Sequence, residues 1–296
     1  MINIGIDVGT SHIKVFSADA DEPTNGKFMF PSVYATRKND SGEKIESVGN
    51  LALKMNIHKN TKLVWPVIKG SIEGSEEEAE ALIRAAISKV AGNTPYDQIN
   101  VGLGLPLRAV DDGAVLEEIL VKNIGVNSVG IWNQTQGTLS DQGVDTAIVV
   151  SMGHGTTEIM AYYELTKIDG VSLKKAADTI LDSLGGNKFL KHDYIEEHKA
   201  DIKDQVEMLV DEVVNQLRKI KDGIQDEEID TMPILITGGG TQIPGVKEQL
   251  EKKMPYAFKI VKEPVYSIAK GLYKNIALQE TPDTEDVVTA PKITTS

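Results

Sequence analysis

The chain has 296 residues and contains no cysteine. Disulfides, thiolate metal sites and thiol nucleophiles are therefore excluded, and the composition fits a reducing cytoplasm. Basic residues are in the minority, because 31 Lys and Arg stand against 44 Asp and Glu, for a net charge of −13. Nucleic-acid binding requires clustered Lys and Arg to meet the phosphate backbone. We therefore expect no direct nucleic-acid partner.

Long apolar runs are missing as well. No segment approaches the ~18 consecutive apolar residues that indicate a membrane-spanning helix. The sequence enters a strand-like pattern directly at Ile2, with no signal-like region before it. We expect no membrane span and a cytoplasmic location. What the chain does have is 41% apolar residues, which suffices for a core, and a length that favours two lobes.

Two short turns of small residues carry most of the functional information. The first occupies residues 7–14 (DVGTSHIK) and the second occupies residues 151–158 (SMGHGTTE). Each lies between two apolar, strand-like runs, which predicts the tip of a β-hairpin and not the strand-to-helix turn of a Walker loop. Small residues at such a tip expose consecutive backbone N–H groups, which form a concave nest for an anion. Two such nests could grip one polyphosphate between them.

A third motif follows a strand-like run later in the chain. Residues 232–237 (MPILIT) have the pattern of a buried strand, three glycines follow at 238–240, and residues 246–250 are predicted to open a helix. A glycine run before a helix lets a nucleotide approach the backbone closely, with free N–H groups and the helix dipole facing phosphate.

The rest of the pattern alternates between strands and helices, which favours an α/β fold. An extended piece is predicted at residues 30–35, with a polar loop after it. Residues 281–296 have no core pattern and are predicted to be a flexible tail. The spacing of apolar residues predicts helices over residues 76–90, 172–184, 206–220 and 266–278.

In this order, the three motifs resemble those of the actin and DnaK-type chaperone ATPase superfamily. The likeness is closest to prokaryotic and archaeal actin-like proteins of the MreB and ParM type, and it covers roughly residues 1–278. It implies a two-lobed α/β fold, the duplicated ribonuclease-H-like fold of actin-like ATPases, with a central nucleotide cleft.

The resemblance also implies how the chain divides. Residues 1–133 together with 256–280 would form the first lobe, which carries the first phosphate motif. Residues 134–255 would form the second lobe, with the second phosphate motif and the adenosine motif. Only about residues 187–204 remain for the small subdomain that MreB carries in its second lobe, so we expect that subdomain to be reduced.

The cofactors implied by the resemblance are ATP, or GTP, and Mg²⁺. Asp7 would hold Mg²⁺ through water, since a carboxylate suits a hard cation that keeps several waters. Lys14 would reach the β- or γ-phosphate, and Gln134 would orient the attacking water. From the residues alone, Asp7 also fits a strand-end turn, Lys14 an exposed strand position and Gln134 the start of a helix. The expected nucleotide-binding residues are Gly9, Thr10, Ser11, Lys14, Ser151, Gly153, His154, Gly155, Thr156, Gly238, Gly239 and Gly240.

The main departure from the family is Ser151. The second motif normally has an Asp here, which helps to hold metal-bound water or the lytic water. A Ser donates a hydrogen bond but carries no charge, so it is a poor partner for a metal. His154, in the same turn, is also unusual and fits either a phosphate donor or an exposed turn residue. We therefore expect nucleotide binding with slow hydrolysis, in which Asp7 and Gln134 are the catalytic residues.

The function implied by the resemblance is that of an actin-like protein that binds nucleotide and assembles with itself into cytoskeletal filaments. An unidentified adaptor is a further possible partner. The alternative is a monomeric nucleotide-dependent switch or a small-molecule kinase on the same fold. A kinase would need a base carboxylate near the γ-phosphate, and Ser151 removes the obvious candidate.

Overall fold

The computed structural model describes residues 1–19, 26–185, 192–224 and 231–279. Its strands, in chain order, are β1 (Ile2–Val8), β2 (His12–Phe16), β3 (Lys27–Pro31), β4 (Tyr34–Lys38), β5 (Lys44–Val48), β6 (Lys62–Val64), β7 (Val67–Ile68), β8 (Ser71–Ile72), β9 (Ile99–Leu105), β10 (Ser128–Asn133), β11 (Ala147–Met152), β12 (Thr157–Tyr163), β13 (Thr166–Leu173), β14 (Ile234–Thr237) and β15 (Phe258–Ile260). Its helices are α1 (Gly49–Met55), α2 (Glu76–Ala91), α3 (Asp112–Glu118), α4 (Gln134–Gln142), α5 (Ala177–Asp182), α6 (His192–Glu197), α7 (Lys203–Gly223), α8 (Val246–Lys253) and α9 (Ser267–Leu278).

Two five-stranded sheets with the same topology form the framework. The first has the order β10-β9-β1-β2-β3, and the second has the order β15-β14-β11-β12-β13. In each sheet the first hairpin strand, β1 or β11, pairs antiparallel with the strand that follows it and parallel with a strand from much later in its half. This repetition confirms the predicted α/β fold and its duplication.

Each sheet buries one face against an amphipathic helix. Helix α2 covers the first sheet with Leu82, Ile83 and Ile87, and it begins at a capping box in which Ser75 and Glu78 satisfy each other's backbone N–H groups. Helix α7 covers the second sheet with a stripe that includes Val210, Val213 and Leu217. Burial of these apolar stripes drives the docking of the helices on the sheets. The structure confirms the helices predicted over residues 76–90 and 206–220.

Helices α4 and α9 cross at very short range beside the first sheet. A Cβ added at Gly271 would lie 1.6 Å from the carbonyl oxygen of Gly137, and one added at Gly5 of β1 would lie 1.9 Å from the carbonyl oxygen of Ala269. Only glycine permits these approaches. The contact fixes α4, whose first residue is Gln134, against α9, and α9 itself packs on strand β1.

Two sequence predictions about local structure are wrong. The helix predicted over 172–184 is shorter, because residues up to Leu173 belong to β13, which pairs along β12, and the helix itself runs only over Ala177–Asp182. The polar loop predicted after residue 35 contains instead β4 and β5, which form a three-stranded sheet with β6. In both places long-range strand pairing overrides the local pattern.

The predicted division into lobes stays a prediction, but the structure places its pieces. Helix α9 packs on β1 of the first sheet. The strand β15 also lies within the predicted first-lobe segment 256–280, yet it pairs with β14 of the second sheet.

The predicted tail, residues 281–296, lies outside the described residues, as do residues 187–191 of the subdomain that was expected to be reduced. The described remainder of that subdomain, residues 192–204, contains helix and turns and no strand. Among the described helices, none is long and apolar enough to cross a membrane.

Candidate nucleotide site

A cavity of about 260 Å³ lies where the first hairpin of each sheet and the glycine turn after β14 converge. All fourteen residues predicted for the site line it. They are Asp7, Gly9, Thr10, Ser11, Lys14, Gln134, Ser151, Gly153, His154, Gly155, Thr156, Gly238, Gly239 and Gly240. Motifs 144 residues apart in sequence thus form one surface, although the roles assigned to these residues stay predictions.

The first hairpin tip brings a carboxylate and an ammonium group together. Asp7 and Lys14 are cross-strand partners of β1 and β2, and Lys14 Nζ donates to Asp7 Oδ2 at 2.9 Å. Asp7 is nearly buried, with 3% of its surface exposed. Ser32 fixes the turn from behind, because its hydroxyl donates to the carbonyl oxygen of Gly9 at 2.6 Å. The tip is therefore held rigidly while its inner face lines the cavity.

The two hairpin tips touch each other. A Cβ added at Gly155 of the second tip would lie 2.5 Å from Thr10 Oγ1 of the first tip. The same Thr10 oxygen accepts a hydrogen bond from the backbone N–H of Gly70 at 2.9 Å. On its other side, the second tip is held by α5, since the N–H of Asp178 donates to the carbonyl oxygen of His154 at 2.8 Å.

The glycine turn after β14 packs closely on the end of β11. Gly238 has a φ of +93°, and an added Cβ would lie 2.4 Å from the carbonyl oxygen of Met152. The chain then makes a short 3₁₀ helix over Gly239–Gln242, and α8 begins only at Val246. The predicted helix is present, but its start lies six residues beyond Gly240, so the 3₁₀ turn, and not α8, presents the glycines to the cavity.

Gln134 is hydrogen-bonded to a buried carboxylate, Glu158, which was not among the residues predicted for the site. Gln134 Nε2 donates to Glu158 Oε2 at 2.9 Å, and the backbone N–H of Leu107 donates to Glu158 Oε1 at 2.6 Å. Burial raises the pKa of Glu158 to about 7, although both hydrogen bonds work in the opposite direction. The predicted second hairpin contains a signal for Glu158, because Glu158 ends that motif. In the structure it is the cross-strand partner of Ser151, so its side chain lies on the same face of the sheet.

Three histidines also line the cavity, and of these only His154 was predicted as a site residue. His12 lies on the first tip and His192 begins α6. Burial lowers the pKa of His12 to about 4, with the charge of Lys14 and the neighbouring His154 adding to the effect. His12 is therefore a neutral imidazole at neutral pH, and its Nδ1 lies 3.0 Å from Ser11 Oγ.

Two polar contacts join the halves of the chain near the cavity. Lys69, in the turn between β7 and β8, forms an ion pair with Asp178 at the start of α5. Arg108 Nη2 donates to the carbonyl oxygen of Ser172 on β13 at 3.0 Å. Both link segments around the first sheet to segments of the second.

The residues present fit Mg²⁺ only in its nucleotide-bound form. Among the described residues no group of three or more His, Asp or Glu side chains could hold a metal ion. Asp7 supplies one buried carboxylate at the cavity. Mg²⁺ commonly binds through one or two carboxylates, several waters and substrate phosphates, so this single acidic residue fits such a site when phosphates complete it.

Comparisons with known proteins agree with this geometry. A family model described as MreB/Mbl protein matches residues 1–195. A MamK double helical filament shares 22% identity and a TM-score of 0.74, over 95% of this chain and 99% of that chain. MreB 5 of Spiroplasma citri bound to AMPPNP shares 16% identity and a TM-score of 0.75, over 94% of this chain and 96% of that chain. A search of curated proteins gave no match.

The solved structures establish the actin-like fold, since they resemble the chain along almost its whole length at low identity. The family model adds sequence evidence, because its match includes Gln134 and both hairpins that are predicted to bind phosphate. As that match extends over about two thirds of the chain, the protein belongs to the MreB/Mbl family of prokaryotic actin-like proteins.

Proposed function

We propose that the protein binds Mg²⁺–ATP, or Mg²⁺–GTP, between its two sheets and assembles with itself into cytoskeletal filaments in the cytoplasm. The observation that carries the proposal is the convergence of three glycine-containing turns on one cavity. Backbone N–H groups at such turns bind phosphate without needing a net positive protein charge, which suits a chain with a charge of −13.

The first hairpin would exchange partners when nucleotide binds. Lys14 now donates to Asp7 at 2.9 Å, and both side chains line the cavity. Phosphate oxygens would draw the Lys14 ammonium away as a point charge, while Asp7 turns to the water shell of Mg²⁺. When bound, the metal would supply positive charge that offsets the charge of the phosphates.

We propose that hydrolysis is slow. Ser151 lines the cavity where the family has an Asp, and it is almost fully buried, at 2% exposure. Gln134 remains to orient the attacking water, and positioning is much of what phosphoryl transfer requires.

Nucleotide would control assembly by favouring one arrangement of the lobes, which we take as residues 1–133 with 256–280 and residues 134–255, except that β15 stays with the second sheet. A ligand shifts such an equilibrium only by its differential affinity for the two states. The Lys69–Asp178 pair and the Thr10–Gly155 contact join the two halves near the cavity, where such a shift would act. The structural neighbours that support this proposal are described as a MamK filament and as an AMPPNP-bound MreB.

Thermal shift measurements test the binding step. ATP or GTP with Mg²⁺ is expected to raise the melting temperature by several degrees, since a ligand at 100 times its Kd stabilises the folded state by about 2.7 kcal/mol. Asp7→Ala should reduce the part of the shift that depends on Mg²⁺. Asp40→Ala, at an exposed turn, is the matched control and should behave as the wild type. No shift with any nucleotide at millimolar concentration would refute the proposed function.

A further inference from the structure

Gln134 is held at the edge of the cavity by two independent anchors. Its backbone begins α4, where Asn133 caps the helix by accepting a hydrogen bond from the N–H of Thr135 at 2.9 Å. Its side-chain nitrogen donates to Glu158 Oε2 at 2.9 Å. Gln134 is 7% exposed and Glu158 is fully buried, so this hydrogen bond is shielded from competing water.

The chemistry of the pair decides which way the amide faces. An ionised carboxylate has only acceptor atoms, so it holds the nitrogen of an amide and repels the amide oxygen. The other Glu158 oxygen already accepts the N–H of Leu107 at 2.6 Å, which prevents the carboxylate from turning. Glu158 holds the amide nitrogen of Gln134. Because Gln134 lines the cavity, its amide oxygen is then the group that can accept a hydrogen bond there.

We propose that Glu158 is a positioning residue that orients the Gln134 amide, so that the amide oxygen accepts a hydrogen bond from the attacking water. This rests on the proposed function, since it concerns hydrolysis at the same site. An acceptor oxygen aligns the lone pair of the water toward the phosphorus and draws on one of its protons. An amide turned the other way would present an NH₂ group, which would bind the lone pair that must attack.

The surroundings of Glu158 make this orientation dependent on pH. Burial raises the pKa of Glu158 to about 7, and the positive charge of Arg108 works against that rise. Tyr162, on the same strand, is the other titratable group that senses Glu158, and its own pKa is raised mainly by burial. Above about pH 7 Glu158 is a carboxylate and holds the Gln134 nitrogen. Below it, Glu158 gains an O–H that donates to the Gln134 oxygen and reverses the amide.

The variant Glu158→Gln tests orientation at nearly constant volume. The new amide oxygen would accept from the N–H of Leu107, and its NH₂ group would face Gln134 and draw the Gln134 oxygen away from the cavity. A residue that served only packing would tolerate this change. The double variant Gln134→Glu with Glu158→Gln reverses donor and acceptor, so that a carboxylate oxygen faces the cavity again.

The first measurement needs no hydrolysis. In protein labelled with ¹⁵N-glutamine, the side-chain NH₂ signals of Gln134 are identified by their loss in Gln134→Glu. They are expected to titrate with a midpoint near pH 7 in the wild type and to be independent of pH in Glu158→Gln. Gln134 signals at about pH 8.5 that are identical in the wild type and in Glu158→Gln would overturn the proposal, whatever the fate of the proposed function.

The second measurement is single-turnover phosphate release. Glu158→Gln is expected to slow release about tenfold, in line with misplacement of a reacting group, while the Kd for nucleotide changes less than about threefold. The wild-type rate should fall below pH 7, and the double variant should recover most of the loss. Unchanged release in Glu158→Gln, or no recovery in the double variant, would overturn the proposal. Failure of the wild type to bind nucleotide would instead refute the proposed function.

Discussion

Ser151 stands where the family has an Asp, and we expect the missing carboxylate to limit how fast this site turns over nucleotide. Ser151 closes β11 at the cavity, with Glu158 opposite it on β12 and Gln134 hydrogen-bonded to that glutamate. The family places a carboxylate at this position, whereas this chain has a hydroxyl there, and the carboxylate of its cross-strand partner Glu158 is fully buried. In the proposed mechanism, the negative charge of Glu158 would therefore act on the amide of Gln134 and not directly on metal-bound water.

Replacing Ser151 by Asp is expected to speed phosphate release about tenfold. The added carboxylate would hold metal-bound water at the cavity, and a gain of about 1.4 kcal/mol in transition-state stabilisation corresponds to a factor of ten. Phosphate release under single-turnover conditions measures the effect.

Ser151→Ala is the matched control, because it removes the hydroxyl without adding charge, and it should leave the rate close to that of the wild type. Fast release by the wild type that Ser151→Asp lowers would mean that the catalytic group lies elsewhere.

Helices α4 and α9 show how element packing supports the site. Gly137 and Gly271 let the two backbones meet, since a Cβ at Gly271 would lie 1.6 Å from the Gly137 oxygen. Helix α4 carries Gln134 at its first residue, and α9 lies against β1, which carries Asp7 at the cavity. The spacing of these two helices thus sets the distance between Asp7 and the amide of Gln134, to which we assign metal-binding and water-orienting roles as proposals.

Gly271→Ala is expected to destabilise the protein by about 1–3 kcal/mol, because the added methyl group forces the helices apart. Chemical denaturation measures the loss. Gly113→Ala is the control on α3, where an added Cβ meets nothing closer than 3.7 Å. It should be neutral or stabilise the protein by up to about 1 kcal/mol, since alanine favours a helix over glycine. Equal effects of the two variants would contradict the close crossing.

The whole molecule carries a net charge of −13, which opposes assembly of identical subunits. In the proposed function, nucleotide and Mg²⁺ act at the cavity, whereas salt acts on the charge of the surface. We expect the reduced segment predicted between residues 187 and 204 to remove one contact surface that the family uses, and we therefore expect filaments whose geometry differs from that of actin. Contacts that repeat head to tail without closing give filaments and not rings.

Sedimentation is expected to find more polymer with a non-hydrolysable ATP analogue than with no nucleotide, and more at moderate salt than at low salt. Screening explains the salt effect, because the Debye length falls from about 30 Å at 0.01 M to about 10 Å at 0.1 M ionic strength. Sucrose at equal osmolality is the control and should not replace salt. Light scattering that reports monomers across all nucleotides and salts, at tens of micromolar protein, would favour a monomeric switch or kinase.

The sequence by itself determined the fold class and most of the residues that line the site. Glycine turns and strand patterns are local features, so the hairpins at residues 7–14 and 151–158 could be predicted one at a time. Their order along the chain then matched a known fold, and the structure brings all fourteen predicted residues to one cavity. Amphipathic helices such as α7 were equally predictable, because a buried stripe repeats along the helix itself.

Only the tertiary structure decided which side chains act on one another. Strand pairing along β12 converted part of the predicted helix at 172–184 into β13, which no local propensity indicates. The hydrogen bond from Gln134 to Glu158 joins residues 24 positions apart. The pKa of that carboxyl rises because the folded chain removes water from around it. Burial, pairing and desolvation depend on distant segments meeting, and that information is absent from any single stretch of sequence.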